Sequence, residues 1–196
     1  MDDKAKKTLT TVGILILVVL FITLCGRYTF LKYQGDLTDS VLVEAPEETV
    51  RFAHEMIDYE LPSGYYEFIG QEQGATNILL IKQKDSTLSE IILTEYTQEE
   101  IVDRFNSGEL TVEDLAEGIQ DESRYSMKLA QRYELKINGN LVPIWLYTGV
   151  NEEGVEINQL YTGLVNGKRF PMIIIITEPL EEWDVGEIDD FLLSIH

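Results

Sequence analysis

The chain has 196 residues, of which 44% are hydrophobic, and its 35 Asp and Glu outnumber 15 Lys and Arg to give a formal net charge of -20. That length fits one domain of ordinary size plus an appendage, and that hydrophobic fraction allows a real core. Nucleic acid is excluded as a partner, because phosphate binding needs a basic stripe and this chain has the opposite charge.

Residues 8–26 carry no charge over nineteen positions. At about 1.5 Å per residue, a helix of that length approaches the roughly 30 Å hydrocarbon core of a bilayer. No polar stripe interrupts it between Thr11 and Thr23, as it would in the helix of a water-soluble core. We therefore predict a transmembrane helix, without the small-residue exit of a cleaved signal peptide. Bulky Leu24 directly precedes Cys25, so we interpret Cys25 as an apolar boundary residue and not as a lipoprotein site.

Three lysines precede this segment and two basic residues follow it closely. Excess Lys and Arg stay inside, which predicts residues 1–7 as a cytoplasmic tail and an extracellular or periplasmic C-terminal domain in a single-pass cell-membrane protein. Residues 27–49 mix polar residues with Gly and Pro and have no period, so we predict a linker there. Residues 50–196 form the predicted domain. No cysteine follows Cys25, so this domain is held together by packing alone.

The domain begins with segments of strand-like alternation. The first runs from Met56 to Leu61 and ends at Pro62, where a turn is expected because Gly64 follows closely. Two more strands come next along the chain, at residues 77–84 and 89–96. Gly70 and Gly74, with the polar residues between them, are interpreted as an acidic loop that would repel phosphate.

The period then changes to that of helices. Thr97 with Glu100, and Thr111 with Asp114, are spaced as in capping boxes, so each predicts a helix start. The first helix is expected to stop near Gly108.

Strands resume at Lys128 and read as an antiparallel meander. The predicted strands cover residues 128–137, 141–150, 155–165 and 169–177, with a type I′ hairpin expected at Asn166-Gly167. The run from Ile173 to Ile176 is apolar without alternation, which is typical of a strand covered on both faces. A closing helix follows, with Asp184 as its predicted N-cap. The elements together predict an α+β fold, an antiparallel β-sheet covered by helices.

This order of elements resembles the PsbP-like superfamily. Three features carry the resemblance: a strand running into the L-P-x-G-[WY] turn at residues 61–65, a helical insertion after the first strand group, and hairpin strands leading to a C-terminal helix with "FLLSI" at residues 191–195. The resemblance implies an α/β/α sandwich that serves as a docking or assembly module and not as a catalyst. The membrane anchor departs from the soluble members of that superfamily.

Aromatic residues supply the predicted interface. The stretch "GYYEF" at residues 64–68 is first a turn at the mouth of the sheet, and second a binding lip made of Tyr65, Tyr66 and Phe68. Aromatic side chains are enriched at the energetic centres of interfaces. Trp183, between two acids, is the other candidate interface residue.

No catalytic, cofactor-binding or metal-binding residue is predicted. A hydrolytic triad would have to rest on His54, which lacks a nucleophile motif elsewhere in the chain. Zinc needs closely spaced His or Cys ligands, and the acidic turns at residues 151–154 and 181–184 do not follow the calcium-loop pattern. The expected function is therefore a non-catalytic docking or accessory subunit of a cell-envelope complex. A sensor domain that binds calcium or a small ligand is the alternative.

Overall fold

The computed structural model describes residues 41–112, 114, 126–151 and 153–196. In these residues the chain forms nine strands and three helices with both ends described. The strands are β1 (Val41–Val43), β2 (Tyr65–Gln73), β3 (Thr76–Gln83), β4 (Glu90–Tyr96), β5 (Ser126–Ile137), β6 (Asn140–Val150), β7 (Glu156–Thr162), β8 (Val165–Asn166) and β9 (Pro171–Pro179). The helices are α1 (Pro46–Met56), α2 (Glu99–Ser107) and α3 (Val185–Ser194).

All described strands join one antiparallel sheet, as predicted. Its order is β1-β2-β3-β4-β9-β7-β6-β5, and β8 pairs with β9 beside β7. The predicted meander is therefore present, with β9 brought to the middle of the sheet. Residues 173–176 of β9 are buried on both faces, which confirms the prediction made from their unbroken apolar run.

Two cores lie on opposite faces of the sheet, because successive strand residues point to opposite sides. On one face, α1 and α3 pack against β3, β4 and β9, for example Phe52 and Phe191 against the core that contains Leu79 and Ile174. On the other face, α2 packs against a core that contains Trp145. Helices thus cover an antiparallel sheet from both sides, and strands dominate the domain.

Helix α1 corrects two predictions. The sequence pattern predicts a linker at residues 46–49 and a strand at Met56. Instead Pro46 stands in the first turn, where its missing N–H costs no hydrogen bond. Thr49, Phe52 and Met56 are buried along one face of the helix. Strand β1 also lies in the predicted linker, so the described domain begins at Val41 and not at residue 50.

The alternation of residues 57–61 has a different cause from the one predicted. These residues are extended but belong to no strand of the sheet. The N–H of Asp58 donates to the C=O of His196 at 3.3 Å, and the N–H of His196 donates to the C=O of Asp58 at 3.0 Å. An extended segment therefore pairs with the end of the chain, which buries Ile57 and Tyr59.

The predicted acidic loop at residues 70–74 is mostly strand. Gly70 to Gln73 belong to β2 and pair with β3, and only Gly74 lies in the turn, with a φ of 53°. Gly70 lies directly against the ring of Phe52 on α1. The glycines in this stretch therefore serve packing and a tight turn.

The connections around α2 follow the sequence in part. The helix ends at Ser107 and is followed by its C-cap Gly108, whose φ of 77° is in the left-handed region. Its N-cap is Gln98, without a side-chain cap, so the capping box at Thr97 is wrong. At Thr111 the predicted box is confirmed: its hydroxyl donates to Asp114 Oδ2 at 2.7 Å, and the N–H of Asp114 donates back to Thr111 Oγ1 at 3.2 Å. The remainder of that predicted helix lies outside the described residues.

Helix α3 begins as predicted. Asp184 Oδ1 accepts hydrogen bonds from the N–H groups of Gly186 and Glu187, at 2.8 and 3.3 Å. The predicted membrane span at residues 8–26 lies outside the described residues. Within the described part of the chain, no helix has the length and apolarity needed to cross a bilayer.

Candidate interaction surface

The turn at residues 62–65 positions the predicted aromatics. The N–H of Tyr65 donates to the C=O of Pro62 at 3.2 Å, so Ser63 and Gly64 are the central residues of the turn. Gly64 has a φ of 82°, a conformation that L side chains rarely adopt. The turn leads straight into β2, which confirms that this stretch is first of all a turn at the mouth of the sheet.

The strand then separates the three aromatics. Tyr65 is only 7% exposed and points into the core under α1 and α3, where its hydroxyl donates to Glu178. Tyr66 and Phe68 are 36% and 45% exposed. Neighbouring strand residues point to opposite faces, so Tyr65 and Tyr66 cannot act on the same surface. The structure thus brings two of the three predicted lip residues together.

Tyr66 and Phe68 form an ordered pair. Their ring centroids are 6.2 Å apart and their planes meet at 86°, an edge-to-face contact. A β-bulge between Glu67 and Ile69 interrupts the pairing of β2 with β3 at Phe68. Bulges commonly re-aim a side chain. Here Phe68 remains exposed beside Tyr66.

Lys82 completes this surface. It lies opposite Tyr66 on β3, and its Nζ is 5.0 Å from the centroid of the Phe68 ring, a cation–π contact. On the neighbouring strand β4, Glu90 lies directly opposite Lys82. Burial raises the pKa of Glu90, and the positive charge of Lys82 opposes that rise. We call Tyr66, Phe68 and Lys82 the Tyr66 surface.

Trp183 does not join the Tyr66 surface. It is half-buried and packs against the core that contains Tyr65. The four predicted interface residues therefore divide between two sides of the domain: Tyr66 and Phe68 on one, Tyr65 and Trp183 on the other.

A buried carboxyl group at Glu178 was missed from the sequence. Burial raises its pKa to about 7; the hydrogen bond from Tyr65 opposes the rise, and the negative charges of Glu187, Glu182 and Asp184 add to it. The available signal was an acid that ends the apolar run "MIIIITEP", because such a strand is buried along its length.

A second buried carboxyl group, Glu95, lies at the end of β4. It is fully buried, and its Oε2 accepts from Asn77 Nδ2 at 2.7 Å and from Arg169 Nη2 at 3.4 Å. The sequence signal was its position two residues after Leu93, on the buried side of an alternating strand. Both buried acids lie on the face covered by α1 and α3, away from the Tyr66 surface.

His54 and the acidic turn at residues 151–154, which were considered from the sequence for catalysis and calcium binding, make contacts within the fold. His54 Nδ1 lies 3.2 Å from Asp58 Oδ1, and its ring stacks on Tyr59. In the turn at residues 151–154, Asn151 Oδ1 accepts from the N–H groups of Glu153 and Val155. Across the residues whose structure is described, no group of three His, Cys, Asp or Glu side chains is placed to hold a metal ion.

The fold is similar to that of solved structures. No family model and no curated protein sequence matches the chain. The solution structure of cyanobacterial PsbP (CyanoP) from Synechocystis sp. PCC 6803 is similar to this chain, with 12% identity over 80% of this chain and 91% of that one, and a TM-score of 0.40. That solved structure is of a PsbP, the family that the order of the sequence elements resembles.

Proposed function

We propose that this chain is a single-pass membrane protein whose extracytoplasmic domain docks onto a partner protein of a cell-envelope complex through the Tyr66 surface. The proposal joins two observations. Residues 8–26 have the length and apolarity of a membrane span. The described domain presents an exposed pair of aromatic rings on a strand of its sheet.

The aromatic pair is the observation that carries the docking role. Large aromatic side chains dominate the binding energy of many protein interfaces, where they bury much area at a small entropy cost. Tyr66 and Phe68 stand on a paired strand and contact each other, so less freedom remains to be lost on binding. Lys82 adds a positive charge at the rim, which favours an acidic group on the partner.

The length of the connecting segment limits where the partner lies. Only residues 27–40 separate the predicted span from Val41, and fourteen residues reach at most about 50 Å when fully extended. β1 begins at Val41 and pairs with β2, the same strand that carries Tyr66. A partner in or on the same membrane is therefore within reach of the Tyr66 surface.

Site-specific photocrosslinking in intact membranes tests this role. A photoreactive phenylalanine replaces Tyr66 or Phe68 in the full chain, and Leu141 provides the matched control because it is 69% exposed on the distant strand β6. We expect a discrete crosslinked species from positions 66 and 68 and none from position 141. Adding Lys82→Glu should weaken the crosslink from position 68. Equal crosslinking from all three positions, or none at 66 and 68, would contradict the proposal.

A further inference from the structure

Glu178 is buried with half of its hydrogen-bonding capacity unused. Its side chain is 7% exposed at the end of β9, and its Oε1 accepts the hydroxyl of Tyr65. Its Oε2 has no hydrogen-bond partner among the described residues. A buried carboxylate with one unpaired oxygen is costly in free energy, because that oxygen has lost its hydrogen bonds to water and gained none from the protein. The neutral acid avoids most of that cost.

The surroundings of Glu178 increase the cost of its negative charge. Among the described residues, the charges that shift the pKa of Glu178 all belong to acids, and its partner across the sheet on β7 is neutral Asn158. The titratable groups that face it come from three elements: Tyr65 on β2, Glu182 and Asp184 in the connection from β9 to α3, and Glu187 on α3.

These three acids are held in place by hydrogen bonds. Ser89 Oγ donates to Glu182 Oε2 at 2.7 Å, and the N–H of Ser63 donates to Glu187 Oε1 at 2.8 Å. Asp184 is the N-cap of α3. None of them can turn away from Glu178 without breaking a contact that fixes the connection to the sheet, to the turn at residues 62–65, or to its own helix.

Two of these three acids border open space. Asp184 and Glu187 line a cleft of about 450 Å³ between α3 and the turn, together with Glu60 and Asp190. Water reaches these acids and screens them, whereas Glu178 is not among the residues that line the cleft. For water to reach an ionised Glu178, the connection between β9 and α3 must therefore move.

We propose that Glu178 is a proton-operated latch, which holds residues 180–187 against the sheet and the turn at residues 62–65 when neutral and releases them when ionised. The latch is independent of whether the Tyr66 surface binds a partner, because Glu178 lies on the opposite face of the sheet. It makes the mobility of this end of the domain depend on the pH outside the membrane.

The pH range follows from the direction of the shift. The pKa of Glu178 is raised from an ordinary 4.5 to about 7 in the folded protein. The proton therefore stabilises the closed latch fully below about pH 4.5, and this contribution is lost as the pH rises through about 7. In the closed latch Glu178 is therefore mostly neutral at pH 6 and mostly ionised at pH 8, which favours opening at the higher pH.

Hydrogen–deuterium exchange of the full chain in detergent, read by mass spectrometry at pH 6 and pH 8, tests the latch. After correction for the intrinsic pH dependence of exchange, we expect protection of peptides covering residues 180–187 to fall about tenfold or more at pH 8. Glu178→Gln should keep its protection at both pH values. Glu181→Gln, an exposed acid in the same connection, should behave like the original chain. Residues 99–107 serve as an internal reference.

A second variant gives the latch a directional test. The hydrogen bond from Tyr65 lowers the pKa of Glu178, so Tyr65→Phe should move the pH midpoint of the loss of protection upward. Repulsion by the neighbouring acids is the same in Tyr65→Phe and in the original chain, so it would not move the midpoint. A pH effect that survives in Glu178→Gln, a Glu181→Gln variant that also loses it, or a midpoint that Tyr65→Phe leaves in place or lowers would each overturn the proposal. If Glu178→Gln does not fold, the Tyr65→Phe midpoint decides alone.

Discussion

Gly70 shows how closely α1 lies on the sheet. A Cβ atom added there would be 2.6 Å from Cδ1 of Phe52, nearer than real contacts allow. Glycine inside a strand normally costs about 0.5–1 kcal/mol relative to alanine, so its presence here needs a compensating gain. The gain is that the ring of Phe52 on α1 can pack directly against the backbone of β2.

We predict that Gly70→Ala lowers the free energy of unfolding by about 1–3 kcal/mol, measured by urea denaturation, because the new methyl group overpacks the core. Phe52→Leu in the same chain should recover part of the loss, since a smaller side chain makes room. The double-mutant cycle then gives a coupling energy between the two sites. A Gly70→Ala variant as stable as the original chain would show that α1 shifts freely on the sheet.

Single residues also mark the limit of what the sequence discloses about the site. The aromatic stretch was predicted as a group, yet only Tyr66 and Phe68 are exposed and Tyr65 is buried. The distinction depends on residues 65–73 forming a strand, and the sequence assigned part of them to a loop. Once the strand is known, its period of two residues decides which rings face outward.

The N-terminus of α3 is stabilised by the side chain of one residue. Asp184 satisfies two N–H groups that would otherwise lack partners within the helix. We predict that Asp184→Ala lowers the free energy of unfolding by about 1 kcal/mol, because the cap is lost. The measurement belongs at about pH 5, where Glu178 is mostly neutral and the charge of Asp184 matters little to it.

Asp184→Asn provides the matched control for the cap. Asn is as good an N-cap as Asp but carries no charge, so its stability should stay within about 0.5 kcal/mol of the original chain. Equal losses for Asn and Ala would assign the effect to charge and contradict the capping role.

Two hairpin connections show why the same dipeptide forms a tight turn at one place and not at another. Asn138-Gly139 forms a two-residue turn with φ values of 45° and 79°, which suits the twist of β5 and β6. Asn166-Gly167 has the same sequence but forms no such turn, because Asn166 pairs with Pro171 four residues beyond the glycine. Local preference is the same at both sites, so another contact decides.

That contact comes from the end of α1. The N–H of Lys168 donates to the C=O of Met56 at 2.8 Å, and its Nζ lies 2.7 Å from Asp58 Oδ2. These bonds draw the connection between β8 and β9 toward α1 and widen the loop. Strands β3 and β4, the meander and α3 were predictable from local periodicity, whereas β1 and β2 were assigned to the linker and in part to a loop. Neither α1 nor the loop between β8 and β9 was predictable, because each depends on residues distant in sequence.

The whole domain is expected to fold without the segment that precedes it. The unit from Val41 to His196 contains both cores and all described strands. We predict that a fragment starting at Ser40 unfolds in a single cooperative transition, followed by circular dichroism in urea. The absence of a cooperative transition would contradict the self-sufficiency of the domain.

A second fragment, starting at residue 50, tests where the domain begins. It lacks β1, which pairs with β2 at Gly70 to Glu72, and it lacks the first turn of α1. It also lacks Thr49, whose buried hydroxyl donates to the C=O of Val43 at 3.1 Å. The cut removes the first turn of α1 and opens the edge of β2, so we expect a loss of about 3 kcal/mol or more in the free energy of unfolding, or no cooperative transition. If the two fragments were equally stable, β1 and the start of α1 would be a linker and not part of the folded domain.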